Sequence, residues 1–147
     1  MLTDDTIYRV RSLNLARILA TQAHSGQVDK SGYPYIDHCR RVANSVEGIE
    51  AKTVAWLHDV LEDTNLTESD LRASFDTEVV GAVVALTHLK GERNDIYWER
   101  IRHNALARKV KIEDIHDNID PIRLALLDSK TVNRLVAKYN KALALLQ

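Results

Sequence analysis

Apolar residues recur at helical spacing through most of the chain, and this periodicity constrains the fold more than any other feature of the sequence. In the first segment Ile7, Val10 and Leu13 are three residues apart, which places them on one face of a helix. Only five glycines and two prolines occur in 147 residues. The sequence therefore predicts an all-α fold, a compact bundle of about seven or eight helices.

The predicted helices follow one another with short connections between them. Their expected positions, in chain order, are 4–24, 37–48, 52–63, a short helix after Thr67, a helix capped by Asp76, 95–103, 105–118 and a last helix from about Lys130, patterned by apolar residues over 135–142. Thr67 and Asp70 match a capping box, and Pro121 is expected to close the helix 105–118. The last helix either completes the core or forms a contact between the subunits of a homo-oligomer.

Composition narrows the classes of protein that this chain can represent. The net charge is −1, with 45% hydrophobic and 28% charged residues, which predicts one folded domain over residues 1–147 and a small-molecule partner rather than nucleic acid. Cys39 is the only cysteine, which excludes an internal disulfide and indicates a reducing compartment. No apolar run approaches the length of a membrane span. We expect a soluble, cytoplasmic protein with no membrane partner.

The segment AWLHDVLEDT concentrates acidic and imidazole side chains among apolar residues. His58-Asp59 and Glu62-Asp63 are separated by four positions, so a continuous helix would place His58 and Glu62 on one face and Asp59 and Asp63 on the next. The surrounding Trp, Leu, Val and Ala residues predict that this face is buried. Titratable groups at such a position indicate a functional site.

A second polar cluster lies on the helix 105–118. Asp114 and Asn118 fall on its apolar stripe, and a carboxylate removed from water persists mainly when it is paired or bound to a metal. His38, His58 and Asp59 are the side chains that we expect to share a cation with Asp114. Two imidazoles and two carboxylates suit Mn²⁺, Fe²⁺ or Zn²⁺, with Mg²⁺ a further candidate, and leave positions open for water and substrate.

These residues resemble the HD-domain phosphohydrolases, which are named for an adjacent His and Asp that bind metal. The family order H…HD…D is matched by His38 in PYIDH, by His58-Asp59 in LHDVLEDT and by Asp114 in VKIEDIHDN. Together with HSGQVDKSGYPYIDH, these stretches are similar to the hydrolase domain of RelA/SpoT-type enzymes and to small alarmone hydrolases. The resemblance covers about residues 20–120 and implies removal of the 3′-diphosphate of guanosine tetraphosphate with Mn²⁺, as in the stringent response.

The resemblance also implies roles for residues outside the ligand set. In such enzymes the stretch before PYI and the Asn of the last motif hold the nucleotide, which points to Lys30, Ser31 and Asn118 as substrate-binding residues. Glu62 and Asp63 are the expected catalytic residues, with Glu62 orienting the attacking water or taking its proton and Asp63 in a neighbouring role. No synthetase domain follows in this sequence, so hydrolysis alone is expected.

Two other functions stay open at this point. The family often has Arg-Lys where this chain has Asp29-Lys30, and Asp would repel an anionic ligand, which favours an HD phosphohydrolase that acts on another nucleotide or phosphate ester. The second alternative is a non-catalytic, metal- or nucleotide-binding helical protein, against which the Glu62-Asp63 pair argues. His24 is expected to pack or to brace a loop, and His116, two positions from Asp114, is expected on the other side of the helix. The histidines left out of the metal set are His24, His88, His103 and His116.

Overall fold

Helices form all of the regular structure in the part of the chain that is described. A computed structural model describes residues 2–147, and this range contains ten helices and no β-strand. The helices are α1 Asp4–Ala23, α2 Ile36–Ser45, α3 Ile49–Leu57, α4 Val60–Asp63, α5 Glu68–Arg72, α6 Thr77–Leu86, α7 Asn94–Arg102, α8 Ala105–Asn118, α9 Pro121–Leu124 and α10 Ser129–Leu146. The predicted all-α fold is confirmed. Within residues 2–147, no helix has both the length and the apolar character needed to cross a bilayer.

Helix α3 lies at the centre of the fold. Six of its nine residues are buried, and it packs against α1, α2, α6 and α8. A helix that is apolar on nearly every side has to be surrounded by other elements, because each exposed face would leave apolar area in water. The C-terminal end of α3 therefore lies inside the protein, and His58, the next residue, is buried.

The continuous helix predicted over residues 52–63 is wrong, because the chain breaks at the His58-Asp59 dipeptide. Helix α3 ends at Leu57 and α4 begins at Val60, with Asp59 at φ −111° and ψ 2°. The His58 ring Nδ1 donates to the carbonyl of Ala55 at 2.6 Å. In an uninterrupted α-helix that carbonyl would accept from the Asp59 N–H. The His58 side chain thus occupies the Ala55 carbonyl, which a continuation of helix α3 would need as an acceptor.

Other differences from the predicted helices concern the segment after α8 and the number of helices. Pro121 does not close α8, which ends at Asn118; it is the first residue of α9, where its fixed φ suits a helix start. The last helix begins at Ser129, within one residue of the expected start near Lys130, and follows the N-cap Asp128. The two short helices α4 and α9 raise the number of helices above the expected seven or eight.

The last helix completes the core. Leu135, Ala142 and Leu146 are buried, and α10 packs against α7 and α8. These contacts support the first of the two expected roles, in which the last helix packs within the chain. Tyr139 is half-buried beside them and faces the cavity described below.

The structure confirms the capping box of α5 but not the capping bond expected from Asp76. Thr67 accepts from the Asp70 N–H at 3.1 Å, and the Asp70 carboxylate accepts from the Thr67 N–H at 2.9 Å. Asp76 does occupy the N-cap position of α6, yet its carboxylate makes no capping bond and accepts from the Tyr8 hydroxyl instead. The N-terminal helix is thereby tied to the start of α6.

Replacement of Thr67 by alanine should lower the free energy of unfolding by about 1 kcal/mol, the usual cost of losing a side-chain N-cap. The reason is that the Asp70 N–H loses its acceptor and the reciprocal bond loses its geometry. Urea unfolding of Thr67→Ala measures this difference. Ser69→Ala in the same exposed helix is the matched control, and an equal loss in both variants would contradict the prediction.

Candidate active site

Three buried side chains from different parts of the chain converge on one point. His38 lies in the first turn of α2, His58 follows α3, and Asp114 lies on α8; each is less than 5% exposed. One ligand atom from each of the three lies within 4.8 Å of the others. His38 Nε2 is 2.8 Å and His58 Nε2 is 3.4 Å from Asp114 Oδ1. The structure thus brings together three of the four predicted metal ligands in one buried group.

Hydrogen bonds behind the two imidazoles turn the same nitrogen of each ring toward Asp114. His38 Nδ1 lies 2.6 Å from Asp117 Oδ2, and His58 Nδ1 lies 2.6 Å from the carbonyl of Ala55. Each acceptor favours a proton on Nδ1, and in the neutral imidazole this leaves a lone pair on Nε2. A ring held in this way is pre-oriented as a metal ligand, since outer partners of this kind fix tautomer and direction.

The chemistry of this group fits a divalent cation. His58 Nε2 is buried and has no hydrogen-bond partner, although carboxylate oxygens of Asp59 and Asp114 lie 3.0 and 3.4 Å from it. Burial raises the pKa of Asp59 well above its usual range, and the nearby Asp114 carboxylate raises it further. Lone pairs and carboxylate oxygens that face one another at this distance need a positive charge between them.

Asp59 belongs to a second, more exposed group of acids. Ligand atoms of Asp59, Glu62 and Asp63 lie within 4.8 Å of one another, and Asp59 Oδ2 is 3.0 Å from His58 Nε2. The hydroxyl of Tyr35 donates to the same Asp59 oxygen. The predicted ligand set is therefore arranged as two adjoining groups, with the His58-Asp59 dipeptide contributing one residue to each.

Backbone contacts hold the Glu62-Asp63 pair at the edge of this site. Glu62 Oε1 accepts from the His88 N–H at 2.6 Å, and the Asp63 carbonyl accepts from Gln27 Nε2 at 2.9 Å. Gln27 is fixed in turn by the buried His24, whose Nδ1 lies 2.9 Å from Gln27 Oε1. His24 thus braces the loop, and the two carboxylates face open space rather than the core.

Lys111 is the positive charge nearest to the buried group. Its Nζ lies 2.9 Å from Asp114 Oδ2 and 5.6 and 5.4 Å from the ring centres of Tyr97 and Trp98. Burial lowers the pKa of Lys111, but the Asp114 carboxylate outweighs this and the pKa lies well above its usual range. The same pairing outweighs burial at Asp114, whose pKa lies well below its usual range. Both groups are therefore ionised at neutral pH.

Two cavities meet at the site and share Tyr35, Asn118 and Tyr139 in their walls. The larger has a volume of about 600 Å³. It is bordered by Asp59, Glu62 and Asp63, by Asp114 of the buried group, and by Lys111. The smaller, of about 270 Å³, is lined by aliphatic side chains and by all three predicted substrate-binding residues, Lys30, Ser31 and Asn118. Asn118 also lies 3.4 Å from Asp114. We call them the large cavity and the small cavity.

Sequence reasoning missed Tyr35, Lys111 and Asp117. Asp117 is three residues after Asp114, so helical spacing alone placed it on the same side of α8. Tyr35 and Lys111 both lie within the stretches that carried the family resemblance, but their side chains meet the site only through tertiary contacts. His116 is exposed, as the spacing predicted.

Replacement of Asp117 by asparagine should weaken Mn²⁺ binding by about 10- to 100-fold, the usual effect of losing an outer partner of a ligand. The carboxylate holds His38 Nδ1 at 2.6 Å, and hydrogen bonds from His38 and Arg41, against the effect of burial, lower the pKa of Asp117 to about 2. Competition with a chelator measures the affinity. Glu113→Gln on the same helix, where Glu113 pairs only with His116, should bind Mn²⁺ like the wild type.

This chain is similar in sequence to a known protein family and to several characterised proteins. A family model described as HD domain matches residues 16–127. The chain is 36% identical over 107 residues to the guanosine-3′,5′-bis(diphosphate) 3′-pyrophosphohydrolase of Vibrio cholerae, and 39% over 98 residues to that of Haemophilus influenzae. The alignments cover 67% and 61% of this chain but only 15% and 14% of the relatives.

A solved structure shares the fold. It belongs to a metazoan ortholog of SpoT that hydrolyzes ppGpp, and it superposes with a TM-score of 0.76 at 21% sequence identity. The superposition covers 92% of this chain and 85% of that one. The order and packing of the helices are thus those of a known fold.

Proposed function

This chain belongs to the HD domain family, and from that premise we propose that it is a metal-dependent phosphohydrolase of a nucleotide, a guanosine 3′,5′-bis(diphosphate) 3′-pyrophosphohydrolase. The substrate class is supported by the relatives in Vibrio cholerae and Haemophilus influenzae, which carry that name. This chain spans about one seventh of the length of those relatives. The proposal therefore concerns the hydrolytic reaction alone.

One observation carries the proposal: lysines without carboxylate partners line the two cavities that meet at a buried group of metal-ligand type, Lys138 in the large cavity and Lys30 in the small one. Within residues 2–147, Lys30, Arg134 and Lys138 have no carboxylate oxygen within 4.0 Å. Burial lowers the pKa of Lys138, and repulsion from Lys111, Lys30 and Arg134 lowers it further. Like charges gathered in a cleft raise the free energy of the empty protein, and a polyanion such as a tetraphosphate nucleotide relieves that repulsion.

The proposed ligands of the ion are His38, His58, Asp59 and Asp114. When bound, a divalent ion supplies a Lewis acid that lowers the pKa of water and polarises a phosphoryl oxygen. We propose Mn²⁺, which the nitrogen and oxygen donors suit because no thiolate is present. The same proposal takes the chain as one HD-type domain over residues 1–147, cytoplasmic, with a nucleotide as its partner and neither nucleic acid nor membrane.

The residues of the chain then have separate tasks in the hydrolysis. Water attacks the phosphorus next to the ribose 3′ oxygen, and the bond between that phosphorus and the 3′ oxygen breaks. The water oxygen stays on the released pyrophosphate, and the 3′ oxygen of the departing GDP takes up the proton that the water lost. The exposed Glu62 carboxylate is held by the His88 N–H and takes a proton from the water. The neighbouring Asp63 carboxylate orients the water molecule for attack. Lys111 and Lys138 attract the diphosphate in the large cavity, while Lys30 and Asn118 hold the nucleotide in the small cavity.

Product release from a panel of nucleotides tests the proposed function. The Mn²⁺-loaded protein should release pyrophosphate from guanosine tetraphosphate and not from GTP or GDP, and Asp59→Ala should abolish the release. If only other nucleotides were hydrolysed, the proposed substrate would be wrong and the proposed metal-dependent hydrolysis would stand. Binding of Mn²⁺ with no turnover of any substrate would support the non-catalytic alternative and overturn the proposal.

Replacement of Lys138 by glutamine should raise the KM for guanosine tetraphosphate by about tenfold while kcat changes less than about twofold, since the lost interaction holds the anion before and during the reaction. The increase should shrink as salt concentration rises, because the attraction is screened. Steady-state kinetics at two salt concentrations measure both effects. Lys109→Gln, which removes an exposed lysine bound to the Glu47 carbonyl, is the control; an equal rise in KM there would contradict the prediction.

A further inference from the structure

Asp29 is not a free negative charge beside the small cavity, as its sequence position suggested. Its Oδ1 accepts from the N–H groups of Ser31 and Tyr33 at 2.8 and 3.0 Å, and its Oδ2 lies 3.3 Å from a guanidinium nitrogen of Arg123. The Asp29 side chain is 13% exposed. The carboxylate is thus committed to shaping the loop that carries Lys30, and the expected repulsion of an anionic ligand is offset by Arg123.

Arg123 connects this loop to Asp117, the side chain that contacts the proposed metal ligand His38. It enters from α9, and its other terminal nitrogen lies 2.6 Å from Asp117 Oδ2 and 2.9 Å from the Asp117 carbonyl. The same Asp117 oxygen is 2.6 Å from His38 Nδ1. Hydrogen bonds therefore run without interruption from the backbone of Ser31 through Asp29, Arg123 and Asp117 to the imidazole of His38.

Arg41 provides an internal comparison. It also pairs with Asp117, at 2.8 Å from Nε to Oδ1, but it comes from α2 and does not border the small cavity. Asp117 thus has two guanidinium partners, of which only Arg123 reaches the loop. The two arginines allow the effect on His38 to be separated from the effect on the loop.

We propose that Arg123 is a specificity-determining positioning residue of the nucleotide site: it neutralises Asp29 and anchors the loop so that Lys30 and Ser31 face the small cavity. This inference rests on the proposed function, because it assigns a role in binding the nucleotide. The consequence is that a chain with Asp at position 29 keeps an anion-binding loop, since the compensating cation is supplied from α9, far along the sequence. Asp29 and Arg123 act as one unit.

Asp29→Asn is the decisive variant, because asparagine keeps an oxygen for the Ser31 and Tyr33 N–H groups and leaves the contact between Arg123 and Asp117 in place. We expect the KM for guanosine tetraphosphate to rise about tenfold, with kcat and Mn²⁺ affinity changed less than about twofold. Asp29→Asn combined with Arg123→Gln should raise KM little further than Arg123→Gln alone, and Arg123→Lys should restore part of the loss. Arg41→Gln should weaken Mn²⁺ binding and leave KM unchanged.

Hydrogen exchange of the loop tests the anchoring without any catalysis. The Ser31 and Tyr33 amides should exchange about tenfold faster in Asp29→Asn, because the neutral amide oxygen accepts more weakly than a carboxylate and the side chain is no longer held by Arg123. The same increase is expected in Arg123→Gln, and the wild-type rate in Arg41→Gln. Unchanged exchange with unchanged KM in the first two variants would overturn the inference, as would an equal rise in KM in Arg41→Gln. Absence of turnover by the wild-type protein would overturn the proposed function instead, and the exchange rates would still decide whether Arg123 anchors the loop.

Discussion

Asp114→Asn should lower kcat/KM by at least about 10³-fold, which corresponds to roughly 4 kcal/mol of lost transition-state stabilisation. Within residues 2–147, Asp114 is the only carboxylate with an oxygen within 4.0 Å of both imidazoles, with His38 Nε2 at 2.8 Å and His58 Nε2 at 3.4 Å. An amide has no charge with which to balance a divalent ion, so Mn²⁺ affinity should fall with the activity. Steady-state kinetics and chelator competition measure the two losses.

The same substitution should destabilise the metal-free protein by about 3 kcal/mol, because it leaves the buried Lys111 without its counterion. Urea unfolding in the presence of a chelator measures this difference. Asp37→Asn is the matched control, since Asp37 is an exposed aspartate on α2 whose side chain pairs with Arg40. A variant Asp114→Asn that keeps wild-type Mn²⁺ affinity would show that Asp114 is not a ligand.

Glu62→Gln should lower kcat by about 10² to 10⁴-fold, the range expected when a general base is removed. Glutamine has the same shape and can still accept from the His88 N–H, so the position of α4 should not change. Because the proposed role of Glu62 is to take a proton and not to bind the ion, Mn²⁺ affinity should change less than about threefold. Single-turnover kinetics at saturating Mn²⁺ isolate the chemical step.

Glu99→Gln on α7 serves as the control for the loss of a glutamate charge, because Glu99 is exposed and contacts only Arg102 and His103. It should retain wild-type kcat. If Mn²⁺ affinity fell in parallel with kcat in Glu62→Gln, then Glu62 would be a metal ligand and the role of general base would pass to Asp63.

Local patterns were enough to predict most of the fold. The helix 105–118 has the predicted bounds, and the capping box of Thr67 and Asp70 forms as its spacing indicates. These features depend on residues three or four positions apart, so the sequence contains all of the necessary information. The break after Leu57 was not predictable in this way, since it depends on the rotamer with which the His58 ring reaches the Ala55 carbonyl.

The site was predictable where its residues lie within recognisable motifs and not where distant elements meet. His38, His58 and Asp114 come together as the sequence indicated, and Lys30, Ser31 and Asn118 line one cavity; their roles in binding remain predictions. The pairing of Asp29 with Arg123 spans 94 positions, and no periodicity within a helix or loop reports such a contact. The charge at position 29 was therefore interpreted without its partner.

The break between α3 and α4 has a mechanical consequence. His58 belongs to the buried group and Asp59 to the acid group, so a single peptide unit of fixed length connects the two halves of the site. Contacts between α2 and α8 can loosen as temperature rises, whereas bond lengths do not change. Mutations that soften the packing of α2 or α8 are therefore expected to displace His38 or Asp114 from His58, while Asp59 stays within one peptide unit of His58.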